Sequence, residues 1–181
     1  MNQKLWYKKP ASDWNEALPI GNGRLGGMVY GNVKTENIQL NEDSIWYGDP
    51  IDRNNPDALI YLPEIRKLLS EGKISEAEKL AALALSGVPE SQRPYQTMGN
   101  LFLHFEIDES EISDYSRELD IEKACVSVKF AQRGVKYTRE YFSSAADQVI
   151  IVRLSADVPG KISFTANMRR GRFLDKCSRI D

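Results

Sequence analysis

The 181 residues suffice for one domain with its own core and are too few for two independent ones. With 41% hydrophobic and 28% charged residues the composition is that of a folded globular chain, which excludes bulk disorder. Lys and Arg number 24 against 26 Asp and Glu, a net charge of −2, so no global field draws the chain to nucleic acid or to an anionic membrane.

The first twenty residues mix charges, aromatics and prolines without an apolar run, and no later stretch approaches a membrane span, so a cytoplasmic protein is expected. Cys125 and Cys177 make neither a disulfide framework nor a metal-ligand pattern, and reduced thiols are expected. His104 is the single histidine, so a multi-histidine metal site or a histidine-based triad has nothing else to build on; no metal or cofactor is expected.

Taken in order, residues 25–30 and 36–40 are predicted strands joined by the turn Gly31-Asn32-Val33-Lys34. Residues 56–86 are helical. Asn54 or Asn55 can cap, Pro56 suits the first helical position, and Leu59, Leu62, Ile65, Leu68 and Leu69 recur at helical spacing until Gly72. A second helix follows, with Ser75 and Glu78 at capping-box spacing and Leu80, Leu83 and Ala84 as its apolar face before Gly87.

After Pro94 the period falls to two. Leu101, Leu103, Phe105 and Ile107 alternate with Phe102, His104 and Glu106, a strand with one apolar face. Residues 126–130 and 135–141 flank Gln132-Arg133-Gly134, where glycine can take the positive φ of a tight hairpin. Residues 148–154 are apolar on both faces and read as a central strand. Pro159-Gly160 suits a type II turn, after which Ile162, Phe164, Ala166 and Met168 resume the alternation. The fold class is therefore mainly β: an antiparallel β-sandwich with an inserted helical hairpin. A sandwich ending near Met168 leaves part of one face uncovered, so a fragment of a longer protein is expected, with a complete small sandwich as the alternative.

Gly21-Asn22-Gly23-Arg24-Leu25-Gly26 matches the dinucleotide-binding fingerprint by letter, with Asp43 about twenty positions on. The fingerprint works only where its third glycine opens a helix facing the pyrophosphate, and here a strand follows. Asn41, Glu42, Asp43 and Trp46 crowd the end of the second strand. They form either a turn that bonds its own backbone or a surface that meets a sugar. Glu42 and Asp43 do not make a glycosidase pair by adjacency, since inverting chemistry needs carboxyls about 6.5–9.5 Å apart across a sugar and neighbours in extended chain point to opposite faces. Trp6, Tyr7, Trp14, Trp46, Tyr47 and Tyr95 could stack on a pyranose or anchor loops on the core, the core being the commoner use. His104 reads as a hydrogen-bonded structural residue, and Arg169, Arg170 and Arg172 as a solvated face or a contact with another segment.

The phrases at residues 14–26 and 38–46, followed in order by Asn54-Asn55-Pro56, Leu62-Pro63-Glu64-Ile65-Arg66, Tyr95-Gln96, Arg117-Glu118-Leu119-Asp120 and Thr138-Arg139-Glu140-Tyr141-Phe142, resemble the amino-terminal domain of glycoside hydrolase family 95 over nearly the whole chain. Ile45 and Tyr47 depart from the Leu and Ser that members often carry there. The resemblance implies a modular enzyme with a β-sandwich, a helical linker, an (α/α)6 catalytic barrel and a carboxy-terminal β domain. It implies metal-free, inverting hydrolysis of α-1,2-linked L-fucose, with L-galactose accepted by some members. The family's general acid and water-activating groups lie in the barrel and match no position here, so no catalytic residue is assigned. Asn22, Arg24, Asn41, Glu42, Asp43 and Trp46 are expected to face the barrel or the rim of its site. The partners expected are the barrel, in cis or from a downstream frame, and a fucosylated glycan. Two alternatives stand: a carbohydrate-binding module and a truncated product without a ligand.

Overall fold

The computed structural model describes residues 3–91, 94–171 and, for the backbone alone, 179–180. Its elements in chain order are β1 (Lys4–Tyr7), β2 (Leu18–Gly21), β3 (Leu25–Val29), β4 (Thr35–Glu42), α1 (Ala58–Ser70), α2 (Ile74–Ala84), β5 (Gly99–Phe105), β6 (Ile112–Asp120), β7 (Cys125–Gln132), β8 (Val135–Ser144), β9 (Val149–Ala156), β10 (Phe164–Arg169) and β11 (Arg179–Ile180). The chain divides into two units, residues 1–45 with 97–181, and residues 46–96.

All the named strands belong to the first unit. One antiparallel sheet has the order β1-β6-β7-β8-β9 and the other β11-β10-β5-β4-β3-β2. The expected mainly β fold with an inserted helical hairpin is what the structure shows. Period-two side chains explain the core between the sheets: Ile38 and Leu40 of β4, Leu103 and Phe105 of β5, Val126, Val128 and Phe130 of β7, and Tyr141 of β8 all point inward and are buried. Ile38, Val126 and Val128 are fully covered, and each such side chain contributes roughly 1.5–3 kcal/mol.

The same inward face of β4 carries Glu36, with no exposed surface. Burial pushes its carboxyl above the usual glutamate range, against the pull of Tyr141, Arg139 and two backbone donors. The Tyr141 hydroxyl donates to Oε2 at 2.7 Å, while the N–H groups of Gly31 and Asn37 donate to Oε1 at 2.8 and 3.0 Å. Arg139 lies 3.8 Å from Oε2 and donates to the carbonyls of Asn32 and Val33, with its guanidinium 3.8 Å from the centre of the Phe105 ring. Arg117, also buried, donates to the carbonyls of Lys9 and Glu16 and lies over the Tyr7 ring. These bonds pin the 31–34 turn and the amino-terminal segment to the opposite sheet.

Four strands lie outside the sequence reading: β1, β2, β6 and the two-residue β11. β6 is masked by polar letters and by a bulge between Ser113 and Ser116, where Asp114 takes φ 55 and breaks the alternation. β9 is not central. It forms one edge of its sheet among the described residues, because apolar character on both faces reports cover above and below a strand and says nothing about lateral pairing.

In the second unit, α1 begins at Ala58 rather than Pro56. Asn55 turns the chain just before it, its Oδ1 accepting the Asp57 N–H at 2.9 Å. The capping box expected at Ser75 and Glu78 is not formed. Gly72, at φ 72, reverses the chain so tightly that α2 restarts at Ile74 with Lys73 at the cap, and Ser75 falls inside the first turn. Ile65, Ala77 and Ala84 are buried, whereas Leu59 and Leu83 are 78% and 80% exposed, since each helix has one helical neighbour in the unit and covers only a narrow stripe.

Candidate functional site

The polar turns singled out in the sequence meet at one end of the sandwich. β2 and β3 form a hairpin around Asn22, Gly23 and Arg24, and Leu25 is the register partner of Glu42, which places the end of β4 beside that turn. β8 ends at Ser144, and its turn into β9 reaches the same end. The fingerprint-like hexapeptide thus runs strand, turn, strand, without the helix a pyrophosphate needs.

Asn22 is a fastener. Its Oδ1 accepts the N–H groups of Arg24 and Leu25 at 3.1 and 2.7 Å, an Asx turn, and its Nδ2 donates to the Ser144 carbonyl at 2.8 Å. Arg24 donates from Nε to Gln148 Oε1 at 2.8 Å and pairs through Nη1 with Glu42 Oε1 at 3.1 Å. The other Glu42 oxygen accepts the Ser44 hydroxyl and N–H at 2.8 and 2.9 Å. Those two bonds first, then Arg24, hold the Glu42 carboxyl below the usual glutamate range.

Asn22, Arg24 and Glu42 therefore form one cluster, completed by Ser44, Ser144 and Gln148. Asn41 and Asp43, both exposed, flank Glu42; the Asp43 N–H donates to the Arg24 carbonyl at 3.2 Å. Trp46 belongs to the second unit, where its backbone pairs with Tyr95 and the two rings meet edge-on at 5.2 Å. The partners Ser144 and Gln148 escaped the sequence reading because nothing local marks a contact across more than a hundred residues. Glu36 did leave a signal, a carboxylate in phase with Ile38 and Leu40.

The six aromatics singled out above are not core anchors: Trp6, Tyr7, Trp14, Trp46, Tyr47 and Tyr95 are all exposed. His104 points outward between Thr35 and Asn167, 3.3 Å from Thr35 Oγ1 and 3.0 Å from Asn167 Nδ2. Arg169 lies over the Phe102 ring and Arg170 donates to the Thr97 carbonyl, while Arg172 and Cys177 fall outside the described residues. At the opposite end of the sandwich, Phe105, Ile107, Tyr137, Leu154 and Ile162 line a cavity of about 280 Å³. Among the described residues no three His, Cys, Asp or Glu side chains gather to hold a metal ion, and no helix is long and apolar enough to cross a membrane.

Chemically, the cluster favours a charged Glu42, the reverse of what a glycosidase general acid requires. Glu36, whose carboxyl is raised, is sealed between the sheets. Six residues separate the two along β4, about 20 Å at strand rise, beyond the spacing of an inverting pair.

Residues 5–178 match the model described as "Glycosyl hydrolase family 65, N-terminal domain". The chain belongs to this family. "Alpha-L-fucosidase 2" of Arabidopsis thaliana is 41% identical to this N-terminal glycosyl hydrolase domain over 163 residues, 89% of the chain and 19% of the relative. The "Probable alpha-fucosidase A" proteins of Aspergillus niger and Aspergillus oryzae are 33% and 30% identical, over 86% and 84% of the chain and 20% and 21% of their own lengths. The domain thus spans about a fifth of the length of the curated relatives it matches. Two of the phrases that carry the family resemblance, at residues 117–120 and 138–142, supply Arg117, Arg139 and Tyr141, all buried between the sheets.

Proposed function

We propose that this chain is the amino-terminal, non-catalytic part of an inverting α-1,2-L-fucosidase of glycoside hydrolase family 95. The 41% identity to an α-L-fucosidase over 89% of the chain carries the reading. In it the domain buttresses an (α/α)6 barrel that holds the bond-breaking carboxyls. Asn22, Arg24, Asn41, Glu42, Asp43 and Trp46 face that barrel or the rim of its site. Support for a non-catalytic role comes from the two buried glutamates, one clamped in its charged form by Ser44 and Arg24, the other closed off between sheets.

The test is fucose release from an α-1,2-fucosylated oligosaccharide. The 181-residue chain releases none; joined to the sequence that follows the matched segment in the Arabidopsis relative, it releases L-fucose whose first-formed anomer, read by NMR, is inverted. Release by the chain alone refutes the non-catalytic role, and a retained anomer refutes the inverting assignment. The exposed Trp46 and Tyr47, 46% and 61% accessible, favour a second reading as a carbohydrate-binding module. That reading requires the chain alone to bind fucosylated glycans, with weaker binding after Trp46→Ala.

A further inference from the structure

The core of the sandwich takes one face of β4, β5 and β10, through residues such as Ile38, Leu103 and Ala166, so alternation turns the neighbouring residues of each strand outward. Register aligns those outward residues in rows across the three strands. Gln39, Asn100 and Arg169 form the first row, Asn37, Phe102 and Asn167 the second, and Thr35, His104 and Thr165 the third. At strand spacing and strand rise the rows cover about 10 Å by about 14 Å. Arg169 is the single residue in them with a fixed charge and Phe102 the single apolar one, while the others carry amide, hydroxyl or imidazole groups. None is a carboxylate.

These side chains hold one another in place. Asn100 Nδ2 donates to Asn37 Oδ1 at 2.9 Å, and the His104 ring sits 3.3 Å from Thr35 Oγ1 and 3.0 Å from Asn167 Nδ2. The half-buried Phe102 ring stacks on His104 at 6.2 Å, with the Arg169 guanidinium 5.8 Å from its centre. Two acceptors stand outside this network: Gln39 Oε1 and Asn167 Oδ1 are buried without a hydrogen-bond partner among the described residues. A buried acceptor without a donor destabilises a fold, and two on one face point to a donor from outside the chain. Rotation about the terminal torsion of Gln39, which is broad and twofold, exchanges Oε1 with Nε2 and turns the oxygen round.

The chemistry of the rows selects the ligand class. A phosphate backbone needs several cations where one stands, and a protein interface centres on a buried apolar patch where one ring stands. Amides and hydroxyls both donate and accept, as the hydroxyls of an uncharged sugar do, and a ring among them suits the C–H face of a pyranose. We propose that this outer face of β4, β5 and β10 binds a neutral oligosaccharide. Gln39, Asn100 and Asn167 bond its hydroxyls, and Phe102 meets an apolar ring face. The site shares no residue with the Asn22, Arg24 and Glu42 cluster and does not use Trp46. Its role, holding a glycan on the enzyme that cuts it, rests on the fucosidase-domain reading.

NMR titration of the 181-residue chain tests the proposal, the probe being a thio-linked analogue of α-1,2-fucosylated lactose that an enzyme does not cut. Side-chain amide signals of Asn37, Gln39, Asn100 and Asn167 are expected to move and saturate, and Phe102→Ala to raise the Kd at least about tenfold. Gln39→Leu keeps the size of the side chain and removes the partnerless acceptor, so it is expected to raise Tm while weakening binding about tenfold. A lower Tm with unchanged binding makes Gln39 structural and overturns the proposal. So do amide signals that stay still up to about 10 mM probe, or shifts confined to Trp46 and Tyr95, which belong to the carbohydrate-module reading. In the chain joined to the sequence that follows its counterpart in the Arabidopsis relative, calorimetry is expected to record a binding step that Phe102→Ala removes. Absence of that step means that the rest of the polypeptide covers the face, and it too overturns the proposal. Fucose release from the oxygen-linked sugar separates the two readings: an active joined protein without the step sinks the oligosaccharide face alone, and a joined protein that keeps the step without releasing fucose supports the face and counts against the enzyme reading.

Discussion

Replacing Tyr141 with Phe removes one hydroxyl from the centre of the sandwich and nothing else. That hydroxyl belongs to a fully buried residue and donates to Glu36 Oε2 at 2.7 Å, so its loss leaves a buried carboxyl one donor short. Hydrogen bonds to charged or strongly polar buried groups contribute about 1.5–3 kcal/mol, and this one is short and sealed on both sides. A loss of about 2 kcal/mol in a chain of this length lowers Tm by about 4–8 °C. Tyr137→Phe is the control: its ring stacks on Phe130 at 5.0 Å, the hydroxyl makes no comparable buried bond, and the expected change is below about 0.5 kcal/mol. Urea unfolding monitored by circular dichroism measures both, with the slope checked for constancy. If Tyr141→Phe falls within 0.5 kcal/mol of the parent while Glu36 stays buried, the bond between the sheets contributes nothing and the account of how they are pinned is wrong.

Glu36 sets a pH dependence of definite sign. Its folded carboxyl is raised above 4.5 chiefly by burial, so its contribution is full below the unfolded value and is lost as pH rises through the raised one. Glu36→Gln, which does not titrate, should therefore compare less favourably with the parent at about pH 4 than at about pH 7; equal differences at the two pH values would disprove the shift. Glu42 runs the other way: held low by Ser44 and Arg24, it adds stability above 4.5 that is lost as pH falls through its lowered value. An NMR titration should place the Glu42 midpoint below that of an exposed glutamate, and Ser44→Ala should bring it back up; an unmoved midpoint would contradict the geometry. Glycine supplies a paired comparison. Gly31 and Gly134 have φ of 77 and 79, but a Cβ at Gly31 would lie 2.7 Å from the Tyr115 hydroxyl and 3.0 Å from Arg117 Cδ, while at Gly134 nothing lies within 4 Å. Thermal melts should show Gly134→Ala costing about 1–2 kcal/mol and Gly31→Ala about 3 kcal/mol or more, and equal losses would mean that backbone strain alone decides both.

Much of the fold was legible because local spacing carries it. Period-two alternation located β5, β7, β8 and β10, strand-like runs flanking the 31–34 turn located β3 and β4, a run apolar on both faces located β9, and the positive φ expected at Gly134 and Gly160 is present at 79 and 73. The helical hairpin was equally visible from Pro56, Gly72 and the leucine spacing, though its ends and exposed faces depended on a turn too short to hold a cap. β6 was lost because a bulge and polar inward residues erased its pattern.

What the sequence determined by itself is which faces are apolar, where the chain turns, and which family's phrases recur in order. Those depend on residues within one turn or one strand of each other. Tertiary structure alone decided that Asn22 reaches Ser144, that Arg24 bridges Glu42 to Gln148, and that Glu36 meets Tyr141 across the core. It alone placed β9 at an edge of its sheet among the described residues. These pairings join segments about a hundred residues apart, or turn on which strand lies alongside. Hydrogen bonding between such segments is set by the global path of the chain, and the side-chain alternation within each strand is the same whatever its neighbour.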